Sequence, residues 1–255
     1  MNARACEAFA RAREVAPRKA VMPMLAGVRV ESANGQLTVE ATDLSVAERW
    51  MVAWPHDPFP ATVVSADRLQ RLFVALGGNA ELRADGSGLE LRAGTARARL
   101  PSLCAATDWP PGVWADAESD CGREVTCEVS AWANALAVAR SLASPDAARP
   151  SLHGVQLVLE DGRLAVVGVG LACMAYMPVK SSTATGAFTR LISAAGARAL
   201  ADAFDFAETA RVRFGSSAVH ARAETDGRAV AVDVAVRYTD ADPQPWRQLI
   251  AEAER

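Results

Sequence analysis

The sequence predicts an α+β protein made of two tandem domains of the same topology, each with two helices packed on antiparallel sheet. Three observations carry that prediction. The chain repeats itself: Leu25-Ala26-Gly27-Val28 matches Leu152-His153-Gly154-Val155, and Asn34-Gly35 and Leu37 match Asp161-Gly162 and Leu164, all at one interval of 127 residues (154 − 27). Phe9 and Leu136 keep that interval, and Val64-Ser65-Ala66 stands 128 residues (192 − 64) before Ile192-Ser193-Ala194, so the register survives with one insertion. Each half also holds short alternating apolar runs around two-residue turns, and alanine-rich stretches with helical spacing.

The elements follow in the same order twice. A helix is predicted over Ala3–Val15 and again over Ser130–Leu142. A hairpin comes next. Val28 and Val30 alternate with Arg29 and Glu31, Asn34-Gly35 turns the chain, and Leu37, Val39 and Ala41 alternate with Thr38 and Glu40. Asn-Gly between alternating runs is a strong hairpin signal, because both central residues of a type I′ turn need positive φ. Val155, Leu157 and Leu159, then Asp161-Gly162, then Leu164 and Val166 repeat the pattern. A second helix is expected over Ala66–Leu76, with Leu69, Leu72, Phe73 and Leu76 on one face, and over Ala194–Phe204, with Leu200 and Phe204 inward. Three strands close each half: Ala80–Ala84, Leu89–Ala93 and Ala96–Leu100, then Arg211–Phe214, Val219–Ala223 and Val230–Val236. The Pro- and acid-rich stretch Asp108–Gly122 marks the boundary, giving domains at 1–115 and 124–255.

Composition narrows the function. With 255 residues, 51% of them hydrophobic, the chain can bury two ordinary cores. No stretch approaches the ~20 apolar residues that cross a bilayer. The Arg-rich N-terminus lacks an apolar core segment and carries Glu7 and Glu14, so it reads as a mature helix and not a targeting peptide. Five scattered cysteines (Cys6, Cys104, Cys121, Cys127, Cys173) without CxxC spacing fit reduced thiols in a cytoplasmic protein. His56, His153 and His220 show no metal-ligand spacing, Gly168-x-Gly170 lacks a phosphate-loop continuation, and no acid, base and nucleophile cluster together. No cofactor, metal or catalytic residue is assigned, and no enzyme is expected. A net charge of −3 argues against holding nucleic acid by bulk electrostatics.

Several segments resemble, in order, those of the bacterial DNA polymerase III β sliding clamps. Val21-Met22-Pro23-Met24-Leu25 resembles the TLPIL segment that opens that family's first strand, and Ala41-Thr42-Asp43-Leu44 its ATDLE stretch. Leu89–Leu103 followed by Asp108-Trp109-Pro110, then Ala148–Val155, then Pro243–Leu249, resemble three further family segments. The likeness covers nearly the whole chain. It implies two DNA-clamp domains where the family has three, so a third domain is expected to be absent. The family's strand ahead of the first helix is reduced, and its ATDGHRL segment stands here as Val167–Ala172 without the acidic and basic residues.

The resemblance implies a ring of six domains assembled head to tail around double-stranded DNA, with helices lining the hole. Two domains per chain then give a homotrimer, which DNA polymerase and a clamp loader would engage. Candidate phosphate contacts are Arg68 and Arg71 on the second helix, read as having no acid among them, with Arg4 and Arg11 on the first helix. Arg18 and Lys19 in the loop before the first strand, and Arg149 in the matching loop, complete the set. Ordinary solvated arginines are the alternative for each. The family's partner-peptide pocket maps onto Leu152, Leu171, Pro243 and Leu249, for which a place in the core fits at least as well. Edge strands near Arg92–Leu100 and Val230–Val236 are the expected subunit contacts. The competing reading is a degenerate clamp paralogue, a regulatory protein-binding module that does not encircle DNA.

Overall fold

The computed structural model describes residues 2–110, 113–114, 123–144, 146, 148–182, 186–225 and 229–253. The chain groups into two compact units, Met1–Gly112 with Glu224–Asp233, and Val113–Ala223 with Val234–Arg255. Most of the expected boundary stretch, Cys121 included, lies outside the described residues.

In the first repeat, helix α1 (Ala3–Val15) buries Ala5, Ala8, Phe9 and Ala12, a stripe at helical spacing. Asn2 caps it, its side-chain oxygen accepting from the Ala5 N–H at 3.1 Å. Strands β1 (Gly27–Ala33) and β2 (Gln36–Thr42) pair antiparallel. Their turn residues Asn34 and Gly35 hold φ of 52° and 74°, the left-handed pair that a type I′ turn requires. With β3 (Val46–Ala53) and β4 (Phe59–Ser65) they run in the order β4-β1-β2-β3. Helix α2 (Ala66–Ala75) starts at Ser65, whose hydroxyl accepts from the Arg68 N–H. It buries Leu69 and Phe73, and Phe73 meets Phe9 of α1 edge-on at 4.9 Å. Strands β5 (Glu81–Ala84), β6 (Gly88–Ala93) and β7 (Ala96–Pro101) form a separate three-stranded sheet. Leu82, Leu89, Leu91 and Leu100 are buried beneath it, while Glu81, Arg83, Glu90, Arg92, Arg97 and Arg99 occupy the alternate positions.

The second repeat opens with a strand, β8 (Glu124–Glu128), then α3 (Val129–Leu142). Strands β9 (Gly154–Glu160), β10 (Arg163–Val169), β11 (Met174–Val179) and β12 (Phe188–Ser193) run in the order β11-β10-β9-β12. The turn residues Asp161 and Gly162 reproduce the first hairpin at φ 49° and 74°. Helix α4 (Ala194–Asp202), β13 (Thr209–Phe214), β14 (Ala218–Glu224) and β15 (Val230–Arg237) follow, and α5 (Trp246–Ala253) ends the described chain. No helix among the described residues is long and apolar enough to cross a membrane.

Four features depart from expectation. Strands β3, β4, β11 and β12 extend each hairpin into a four-strand array. Strand β8 precedes the helix of the second repeat, with no described counterpart before α1. The second repeat carries a third helix, α5. Strand β15 is no edge: Val230–Val236 are buried and the strand has a hydrogen-bonded neighbour on both sides. Among the described residues, β7 is paired on one side only, with β6, and β11 only with β10.

Gly168 on β10 shows how closely α3 lies on its sheet. A Cβ there would stand 2.4 Å from the Ala139 carbonyl oxygen and 2.6 Å from its Cα, so helix backbone rests directly on strand backbone. That close approach accounts for the glycine without any phosphate loop. Replacing Gly168 by Ala forces two elements apart and is expected to cost about 1–3 kcal/mol, read as a lower urea midpoint with unchanged slope.

Candidate nucleic-acid interface

The basic residues singled out from the sequence fall into different environments. Arg68 is exposed on α2 and, among the described residues, has no ion-pair partner. Arg71 is exposed as well, but its Nε stands 3.0 Å from Asp67 Oδ2. The other oxygen of Asp67 takes Arg13 Nε at 2.8 Å, so this carboxylate joins α1 to α2. Arg68 and Arg71 therefore do have an acid among them, contrary to the expectation from sequence. Asp67 lies in the first turn after the cap Ser65, where a carboxylate meets the positive end of the helix dipole.

A cleft of about 350 Å³ opens where α1 ends and α2 begins, lined in part by Arg13, Arg18, Ser65, Asp67 and Arg71. Three guanidiniums there face one carboxylate, leaving a surplus of positive charge. The fold thus brings Arg18 and Arg71 together and adds Arg13, which sequence reasoning passes over. Nothing in the helical spacing distinguishes Arg13 from its neighbours; only the docking of α2 does.

The remaining candidates stand apart from this cleft. Arg4 is held by Glu7 at 2.8 Å. Arg11 turns inward: its side chain is 15% exposed, with NH1 3.0 Å from Glu14 and NH2 3.0 Å from Glu48. Glu48 on β3 is fully buried and also accepts from the Trp50 indole N–H at 3.2 Å. Burial pushes the Glu48 carboxyl above the usual range; the Arg11 charge and the hydrogen bonds from Trp50 and Arg11 pull the other way and lose. Lys19 is exposed in the loop after α1, and Arg149 lies 3.6 Å from Asp146. Arg140 in the last turn of α3 is exposed and, among the described residues, without an ion-pair partner; helical spacing alone does not single it out.

The proposed peptide-pocket residues divide in the same way. Leu152 and Leu249 join Met174 and Trp246 on an apolar cluster of Val158, Ala165, Val167 and Val169. This is the face of β9–β11 turned away from α3, since Gly168 in the alternate position meets the helix. Helix α5 is fastened there: Trp246 stacks on Tyr176 at 4.9 Å, Gln244 Nε2 donates to Ser151 at 2.7 Å, and Arg247 pairs with Glu160. Turned to satisfy both ends, the Gln156 amide donates to the Gln244 carbonyl at 3.2 Å and accepts from its N–H at 3.0 Å. Leu171 lies between β10 and β11 at 68% exposure, and Pro243 is half-buried outside the cluster. Tyr176 and Trp246 were not foreseen. Their bulky rings were visible in the sequence, but their partners lie far away in it.

Other groups are structural. Asp43 accepts from the Ser45 and Val46 N–H groups at 2.8 and 2.7 Å and shapes the turn before β3. His153 Nδ1 lies 2.7 Å from the Ser144 carbonyl. Burial pushes the Cys127 thiol up to about 12, leaving it protonated at neutral pH. The described residues include no group of three or more His, Cys, Asp or Glu placed to hold a metal.

By sequence, the chain matches no protein-family model and no curated protein. Its fold is that of the bacterial DNA sliding clamps. The clamp from Pseudomonas aeruginosa solved with griselimycin superposes with a TM-score of 0.81 at 18% identity, covering 95% of this chain and 64% of that one. The DNA polymerase III β subunit of Thermotoga maritima gives 0.79 at 20% identity, over 96% and 65%. The Helicobacter pylori β clamp bound to a DNA ligase peptide gives 0.80 at 10% identity, over 96% and 67%. The chain therefore spans about 65% of the length of the first clamps it matches.

The buried Glu48 makes a pH prediction. Its folded-state pKa lies above the ordinary 4.5, so the folded protein holds this proton more tightly than the unfolded chain. The stability associated with it is present at low pH and is lost as pH rises from that value through the folded one. Melting curves of the protein and of Glu48→Gln, taken at intervals from pH 4 to 8, should show the native chain losing stability relative to the variant as pH rises. Parallel profiles would remove Glu48 as the titrating group.

Proposed function

We propose that this chain is a subunit of a DNA sliding clamp, a processivity factor that closes around duplex DNA and slides without reading its sequence. The single observation that carries the reading is the fold correspondence with solved clamps over 96% of the chain. The arginine-lined cleft at the ends of α1 and α2 supports it. In this reading Arg13, Arg18, Arg68 and Arg71, with Lys19 and Arg149, touch phosphates and position the duplex. Arg4 plays a lesser part through its pairing with Glu7, and Arg11 belongs to the internal pair with Glu48. A closed ring holds DNA by topology, so each phosphate interaction can be weak and a net charge of −3 is tolerable. Two repeats, at 1–115 and 124–255, make one subunit. Three copies head to tail complete the six-domain ring that the resemblance implies.

In this reading a short peptide from a polymerase, loader or ligase docks beside the face that α5 covers, at Leu152, the exposed Leu171, Pro243 and Leu249. The protein acts by encircling and tethering in the cytoplasm and catalyses no reaction itself. One observation favours the second reading, a clamp-derived regulatory module: Arg4, Arg11, Arg71 and Arg149 are each already engaged by a carboxylate.

Two measurements separate the readings. Light scattering of the purified chain should give a mass of three chains across a concentration series. A lasting monomer or dimer would favour the regulatory module. The triple variant Arg18→Glu, Arg68→Glu, Arg71→Glu should keep that mass and leave nicked circular DNA faster. It should also flatten the log–log salt dependence of binding by a slope of about 0.9 for each phosphate it no longer neutralises. Unchanged retention would remove these three residues from the interface.

A further inference from the structure

We propose that Arg123, Arg190 and Tyr238 form, around Phe188, a binding site for a phosphate dianion. The site shares no residue with the arginine-lined cleft. The Arg123 and Arg190 guanidinium carbons lie 6.0 and 5.7 Å from the centroid of the Phe188 ring. Among the described residues neither arginine has an ion-pair partner. Among the described residues Arg190 NH1 donates to the neighbouring Thr189 carbonyl, at 3.0 Å. Gly186 leaves room for Arg123, since a Cβ there would lie 3.2 Å from its Nε.

Tyr238 supplies the independent observation. The residue is 9% exposed, its ring lies 5.4 Å from that of Phe188, and its hydroxyl is buried with no hydrogen-bond partner among the described residues. Buried hydroxyls are ordinarily paired, and one left unmade costs stability. Burial pushes the phenol far up, while the charges of Arg190 and Arg123 both reach it and pull down. Both guanidiniums thus lie at the same ring that Tyr238 packs against, and their charges reach its buried hydroxyl. Two positive charges and a neutral O–H donor, with no carboxylate paired to them among the described residues, match a doubly charged oxyanion.

The ring decides what part of a ligand can be read. Phe188 is 7% exposed and packed by Phe214 at 5.0 Å as well as by Tyr238, so it offers no free face on which a base could stack. The site takes the phosphate group alone. Inorganic phosphate and a terminal phosphomonoester, such as the 5′ end of a DNA strand, share that chemistry.

The test uses the whole chain, with inorganic phosphate titrated at constant ionic strength against chloride and melting followed by fluorescence. Binding should appear as a saturable rise, roughly 5–10 °C at a hundredfold excess over Kd. Tyr238→Phe should melt at or above the parent temperature without phosphate, because it removes only the unpaired hydroxyl, yet bind phosphate at least tenfold more weakly. Arg190→Gln should weaken binding by a similar factor, and Arg123→Gln serves if that variant does not fold. Competition by a 5′-phosphorylated oligonucleotide, but not by its 5′-hydroxyl twin, assigns the site to strand ends. Phosphate binding without such competition assigns it to the free anion, and both results uphold the site. No rise, an unsaturable rise, or one that Tyr238→Phe and Arg190→Gln share with the parent overturns it. No circular DNA enters the measurement, so its failure leaves the clamp reading untouched.

Discussion

Each repeat depends on the register of one hairpin. Asn34-Gly35 and Asp161-Gly162 adopt positive φ at both positions, and this fixes which residues of β1–β2 and β9–β10 face the helices. A slip of one residue would turn every side chain over. In the second repeat it would move Gly168 away from Ala139 and bring a side-chain-bearing residue against the backbone of α3. In the first it would carry Val39 out of the core. The helices sit where they do because the hairpin presents the right face, and the arginine-lined cleft exists because α1 and α2 then meet through Phe9 and Phe73.

What could be read from the residues follows from how local the signal was. The hairpins, the first helix of each repeat and the closing strands announce themselves within ten residues, through turn chemistry and period. Strand β3 did not, because Glu48 points inward with Trp50 and breaks the polar-out alternation. Strand β11 contains Pro178 and lies at a sheet edge, where proline is tolerated but the strand pattern is weak. Helix α5 follows Pro243 and Pro245 and is held by Tyr176, Ser151 and Glu160, none of them near in sequence.

The same reasoning sorts the charges. Spacing on a helix shows that Arg11 and Arg13 point in different directions, but not which of them meets the sheet. The acid that claims Arg11 stands 37 residues away on β3, and the acid that claims Arg13 lies on another helix. Basic residues were easy to nominate from sequence, whereas their partners were set by packing. Electrostatics near α2 is consequently a property of the folded repeat: Asp67 restrains Arg13 and Arg71 and leaves Arg68 to solvent.

Strands β7 and β11, each bonded along one side only among the described residues, leave backbone donors and acceptors that an extended segment could match. Their side chains limit the choice. Two β7 strands meeting edge to edge would crowd the Arg97 and Arg99 guanidiniums of one copy against those of the other, and Pro178 on β11 offers no N–H to a partner. Self-recognition through like edges is thereby penalised while pairing between unlike edges is left open, so the protein guards against tangling by what it refuses to touch.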